Sequence, residues 1–170
     1  ITIIGRGQAG GYTLKIPERD KHLHTRAEFI DDLSVSMGGL AAEKLKFNDI
    51  TTGASGDLQH ATALARKIVT KYGMSESVGH ISFDTEDSNG FGAFPWDEPS
   101  RQYSDATLKK IDDEVAEILK KAYNKAEEIL KTNHDKLTLI AQKLIEKEAI
   151  EKEEFESLLG IKTLLSQEAI

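Results

Sequence analysis

The chain opens on two short runs in which β-branched and apolar residues alternate with polar ones, Ile1-Thr-Ile-Ile4 and Tyr12-Thr-Leu-Lys-Ile16. A glycine-rich connection from Gly5 to Gly11 joins them, and Pro17 closes the second. A period of two with turn residues between the runs predicts a small β-hairpin. The period then changes. Phe29, Ile30, Leu33, Met37, Leu40, Ala41 and Leu45 recur every three or four residues behind Thr25-Arg-Ala-Glu28, a capping box, so a helix is predicted over 26–45. Gly38 and Gly39 lie in its middle and should cost about 1 kcal/mol each relative to Ala, which predicts close approach of another backbone as compensation. A second helix is predicted over 57–71, because Leu58, Ala61, Leu64, Ala65, Ile68, Val69 and Tyr72 share one face, and Gly73 stops it.

After a short apolar stretch, His80 to Phe83, the segment 84–102 holds Pro95, Trp96 and Pro99 among Asp, Glu, Gly and Ser, and reads as an exposed loop. Beyond it the helical period returns. Ser104 caps a long segment that turns Leu108, Ile111, Val115, Ile118, Leu119, Ala122, Ala126, Ile129 and Leu130 inward. Asn133 caps another with Leu137, Ile140, Ala141, Leu144 and Ile145, and Glu153–Leu159 forms a short third. The fold class expected is mainly α, with a small β-hairpin or sheet at the N-terminus and a C-terminal bundle of three helices.

Composition narrows the chemistry. The 170 residues are 39% apolar and 30% charged, which suits one domain with a conventional core. There is no cysteine, so thiolate catalysis, cysteine-ligated zinc fingers and disulfide frameworks drop out. With 22 basic and 29 acidic side chains the net charge is −7, which opposes binding to phosphate backbones and makes nucleic acid an unexpected partner. No apolar run approaches the ~20 residues that span a bilayer, and no secretory signal pattern is present. The chain starts at Ile1, inside an apolar run and without an initiator Met, as if cut from something longer.

Four features could carry chemistry. Gly5-Arg-Gly-Gln-Ala-Gly10 matches the spacing of the dinucleotide fingerprint, but the residues after it read as a strand ended by Pro17 where the motif needs a helix, so a turn is expected. His22-Leu-His24 could put two imidazoles on one side of an extended segment. Zinc needs more ligands than that, and an exposed loop is the expectation. His80 and His134 have no partners in sequence and read as ordinary residues. Thr51-Thr-Gly-Ala-Ser-Gly-Asp57-Leu-Gln-His60 is the most informative stretch, because a loop of small residues delivers a carboxylate into the first turn of a helix. Two readings stay open there. Asp57 is a capping acid that gains about 0.3–1 kcal/mol from the helix dipole, or it is one ligand of a zinc ion, with His60 one turn later facing the same way.

At these residues the sequence resembles the protease domain of the FtsH family, membrane-anchored ATP-dependent zinc metalloproteases of bacteria, mitochondria and chloroplasts. The resemblance runs over nearly the whole chain. It rests on Ile3-Ile-Gly-Arg-Gly7, Gly11-Tyr-Thr13, Met37-Gly-Gly-Leu-Ala-Ala-Glu43, Thr52-Gly-Ala54, Asp57-Leu-Gln59, Ala65-Arg66 and Tyr72-Gly-Met-Ser75. Tyr103-Ser104, Ile111-Asp112, Glu114-Val115, Ala122-Tyr123 and Leu144-Ile-Glu-Lys-Glu148 extend it. Gly5 stands where the family usually has Pro, Gly56 where it often has Asn, and His60 where it has Arg.

The resemblance implies that Asp57 is the third zinc ligand, the other two being histidines of an HExxH helix. No HExxH occurs in this chain, and in the family that helix lies N-terminal to the strand resembling Ile1–Ile4. The 170 residues are thus expected to be a peptidase-domain fragment, with part of the catalytic core in 1–83, an exposed loop in 84–103 and a helical part in 104–170. It should carry one ligand of three, no catalytic residue of its own, and no activity in isolation. In the full-length protein, zinc-activated water would attack the peptide bonds of unfolded, damaged or membrane proteins inside a homo-hexamer. ATP would serve only a separate ATPase domain, since no P-loop GxxxxGK[ST] is present. The implied location is the cytoplasmic side of the bacterial inner membrane or its organelle equivalent, with membrane contact only through segments outside these residues. The alternative is a non-catalytic helical assembly module of a ring-forming protein in which Asp57 is only a cap.

Overall fold

Thr25 closes the capping box expected of the first helix. Its backbone N–H donates to Glu28 Oε2 at 2.8 Å and its Oγ1 accepts from the Glu28 N–H at 3.3 Å, an arrangement worth about 1 kcal/mol. The structure, a computed structural model, describes residues 1–5, 7, 10–14, 23–83 and 103–161. Among them it is mainly helical: α1 (Arg26–Ser36), α2 (Gly38–Phe47), α3 (Ser55–Thr70), α4 (Asp105–Thr132), α5 (His134–Lys147) and α6 (Lys152–Leu159). The exposed loop expected over 84–102 lies outside the described residues.

The single helix predicted over 26–45 is two, meeting at Met37. The apolar stripe runs through the junction, and Met37 itself is buried. Its N–H donates to Leu33 O and its carbonyl accepts from Ala41 N–H, each at 3.0 Å. The helical bonding therefore bridges the junction, and the pair of poor helix formers behind Met37 explains why it falls there. The expected close approach at these glycines is not found. A Cβ added at Gly38 or Gly39 would meet nothing within 4 Å among the described residues. We therefore expect Gly38→Ala and Gly39→Ala each to raise stability by about 0.5–1 kcal/mol, read from the urea midpoint. A loss of stability in the monomeric chain would show that a neighbour does pack there.

Two compact units result, one of residues 23–129 and one of residues 1–22 with 130–170. In the first, α1 packs on α3 and on α2. Its core is Leu33, Met37 and Ala41, then Ala61, Ala65, Ile68 and Val69, then Ile111, Val115, Ile118, Ala122 and Ala126 of α4. Surface ion pairs join α4 to this unit, Lys125 to Asp31 at 2.5 Å and Arg66 to Asp112 at 2.9 Å. Being exposed, each contributes little. Gly73 stops α3 as expected. Its φ of +59° lets Met74 N–H reach back to Ile68 O at 2.9 Å. Ser104 caps α4, its Oγ accepting from Thr107 N–H at 3.2 Å. Just before it, Tyr103 meets Phe83 edge to face and donates its hydroxyl proton to the Phe83 carbonyl, so the two ends of 84–102 are held together.

In the second unit α5 packs on α6. Asn133 occupies the N-cap position of α5, but its side chain makes no capping bond. Lys143 donates to Glu146 at 2.8 Å; this bond and its charge hold the carboxyl below its ordinary pKa and the ammonium above its own. Thr2 pairs on both sides, with Tyr12 and with Ala149, as isolated antiparallel bridges. Gly11 permits this, since a Cβ there would lie 2.4 Å from Thr2 O. Among the described residues there is no strand, so the hairpin expected over 1–16 is not confirmed, and its last residues, 15 and 16, fall outside the described set. The buried stripe of α4 ends at Ala126, within the first unit, and α5 and α6 belong to the second.

Candidate metal centre

Small residues and a left-handed turn shape the approach to α3. Asn48, with φ of 54°, ends α2, and Asp49 Oδ1 accepts from Ile50 N–H at 2.8 Å. Thr51 is extended and caps a 3₁₀ turn, Thr52–Ala54, accepting from Gly53 N–H at 3.1 Å. Thr51 is itself gripped by Glu43 of α2: its N–H donates to Oε2 at 2.8 Å and its hydroxyl to Oε1 at 3.0 Å. Ala54 is buried beneath the turn, and α3 begins at Ser55, two residues before the sequence pattern places it. The pattern missed these two because Ser55 and Gly56 carry no apolar signal.

Asp57 therefore sits in the first turn of α3, exposed. Neither it nor any other side chain caps the helix: α3 has no side-chain cap bond, and among the described residues Asp57 makes no hydrogen bond or ion pair. Of the capping reading only the attraction of the dipole remains, about 0.3–1 kcal/mol. The exposed carboxylate has no partner among the described residues, which fits an oxygen ligand for zinc. His60, one turn on, is also exposed. Among the described residues no three His, Cys, Asp or Glu side chains come together to hold an ion, so these residues can supply only part of a site. Beyond Asp57 on α3, Leu58, Gln59, Thr62, Ala63 and Arg66 line a shallow depression of about 400 Å³.

The other candidates resolve as ordinary structure. His24 stacks on Phe29 with ring centroids 5.5 Å apart, and Phe29 stacks in turn on Tyr72 at 5.2 Å. His22 lies outside the described residues, as do Arg6, Gln8 and Ala9 of the glycine-rich connection. Gly7 has a φ of 63°, in a turn, and the described residues 10–14 form no helix. His80 Nδ1 pairs with the Gly73 carbonyl at 2.9 Å, and the carbonyl of His134 accepts from Thr138 Oγ1 at 3.0 Å. Glu43 carried no chemical signal in the sequence. It lies on α2, which ends at Phe47, and Thr51 follows in a loop, so no continuous element links the two residues.

A family model for peptidase family M41 matches residues 1–158. The chain belongs to peptidase family M41. Among M41-type relatives, it is 45% identical over 160 residues to ATP-dependent zinc metalloprotease FtsH 1 of Thermoanaerobacter sp. (strain X514), covering 94% of this chain and 26% of that protein. It is 46% identical over 161 residues to ATP-dependent zinc metalloprotease FtsH 4 of Synechocystis sp., covering 94% and 26%. Against ATP-dependent zinc metalloprotease FtsH of Bacillus subtilis the identity is 39% over 166 residues, covering 96% and 26%. The chain thus spans about a quarter of the length of these relatives. Among the described residues no helix is long and apolar enough to cross a membrane.

Proposed function

We propose that this M41 chain is part of the proteolytic domain of a membrane-anchored, ATP-dependent zinc endopeptidase that degrades unfolded or damaged proteins. The observation that carries the reading is the Asp57 carboxylate, exposed in the first turn of α3 and free of protein partners among the described residues. Relatives named as zinc metalloproteases align over nearly all of this chain. In this reading Asp57 is one zinc ligand. The Glu43-to-Gly53 bonding sets the backbone from which it projects. When bound, zinc supplies Lewis acidity and lowers the pKa of a coordinated water towards 7. The two histidine ligands and the glutamate base would come from an HExxH helix preceding Ile1.

The rest of the reading follows the family. Assembly would be a homo-hexamer, anchored at the cytoplasmic side of the bacterial inner membrane or its organelle equivalent, with ATP used by a separate domain. The test compares two polypeptides. The full-length protein should degrade casein with ATP and zinc and stop when zinc is chelated, whereas residues 1–170 alone should not cleave casein at any zinc concentration. Zinc-dependent turnover by the 170 residues would place the site elsewhere. A full-length protein that assembles but never cleaves would favour the assembly module instead.

A further inference from the structure

We infer that Glu43 is a positioning residue for the metal site, acting through Thr51 to set the backbone that presents Asp57. This rests on the reading of Asp57 as a zinc ligand.

The bonding has a fixed direction. An ionised carboxylate can only accept, so at Glu43 Oε1 the Thr51 hydroxyl must spend its one proton. That leaves the hydroxyl's lone pairs for Gly53 N–H, which it meets at 3.1 Å. Glu43 also takes the Thr51 N–H, so both oxygens are engaged on one residue. The resulting relay runs from α2 through Thr51 into the 3₁₀ turn that leads directly to α3. Among the described residues no other side chain bonds the backbone N–H groups from Thr51 to Asp57, and the N-cap residue of α3, Ala54, has no side-chain bond to offer. Gly53 is fitted against the same pair: a Cβ there would lie 3.2 Å from Thr51 Oγ1 and 3.4 Å from Glu43 Oε1.

Location separates positioning from stability. Glu43 is half-buried and Thr51 exposed, so groups freed by a substitution can be taken up by water. The direction of the chain into α3 rests on this relay together with the buried Ala54 and the Ser55 N–H bond to Thr52 O. A metal ligand must be held to within about half an ångström, and groups that orient a ligand typically change affinity by about 10–100-fold when removed.

The test uses the full-length protein with Asp57→Asn, Glu43→Ala, Thr51→Val and Thr51→Ser. Zinc affinity is measured by competition with a chromophoric chelator, and Co²⁺ is loaded as a spectroscopic probe of ligand geometry. Glu43→Ala and Thr51→Val should each weaken zinc about tenfold or more and change the visible Co²⁺ bands, with thermal midpoints near wild type. The double variant should be no worse than either single, because the two residues act as one unit. Thr51→Ser keeps the hydroxyl and should restore both readouts. If Asp57→Asn keeps full zinc affinity, the ligand assignment fails and the inference fails with it. If Asp57→Asn loses zinc while Glu43→Ala and Thr51→Val keep wild-type affinity and spectra, the inference alone is overturned. Should Glu43→Ala not fold, the Thr51→Val and Thr51→Ser pair decides.

Discussion

Asp57→Asn in the full-length protein should remove bound zinc and lower casein degradation at least about a hundredfold. Lewis acidity at a catalytic metal is worth several kcal/mol of transition-state stabilisation, and each 1.4 kcal/mol is tenfold in rate. The fold should scarcely notice. Asp57 is exposed and makes no hydrogen bond or ion pair among the described residues, so only its dipole attraction, about 0.3–1 kcal/mol, is lost. The two readouts therefore separate: zinc per protomer by atomic absorption falls while the thermal midpoint moves by a few degrees at most. If zinc stoichiometry and turnover stay at wild-type levels, Asp57 is only a residue of a helix start. Equal losses of zinc and of folded protein would point to a structural role.

Leu33→Ala carries the largest expected loss of stability, about 2–5 kcal/mol. Leu33 is fully buried on α1, the helix that packs on α3, and Ile68 and Val69 of α3 are fully buried in the same unit. Truncation there removes transfer free energy and leaves a cavity that rigid helices close only in part. Against a total of 5–15 kcal/mol typical of single domains, such a loss is severe. Urea unfolding of the 170-residue chain reads it as a fall in midpoint at unchanged slope. A change below about 1 kcal/mol would mean that the inner face of α1 is not core.

Local signals were the legible ones. The Thr25–Glu28 box, the stop at Gly73 and the Ser104 cap each depend on groups within a few residues, and each stands as the sequence indicated. Asp57 was legible as a carboxylate at a helix start for the same reason. Features that depend on what lies across a gap were not. The glycines at 38 and 39 suggested a close neighbour, but they mark a junction between two helices, and among the described residues nothing lies within 4 Å of a Cβ added there. The stripe of α4 announced a buried face without saying which residues would bury it, and Ile111, Val115, Ile118, Ala122 and Ala126 are buried within the first unit.

Helix content, the Thr25 and Ser104 caps, the carboxylate at residue 57 and the family kinship are written in the order of residues, because each depends on short-range bonding or on spacing along the chain. The bond from Glu43 to Thr51, the double pairing of Thr2 and the exposure of the Asp57 carboxylate, with no partner among the described residues, were decided only by the folded backbone. Periodicity states which face of an element avoids water. It does not encode the distance between side chains that the fold alone brings together.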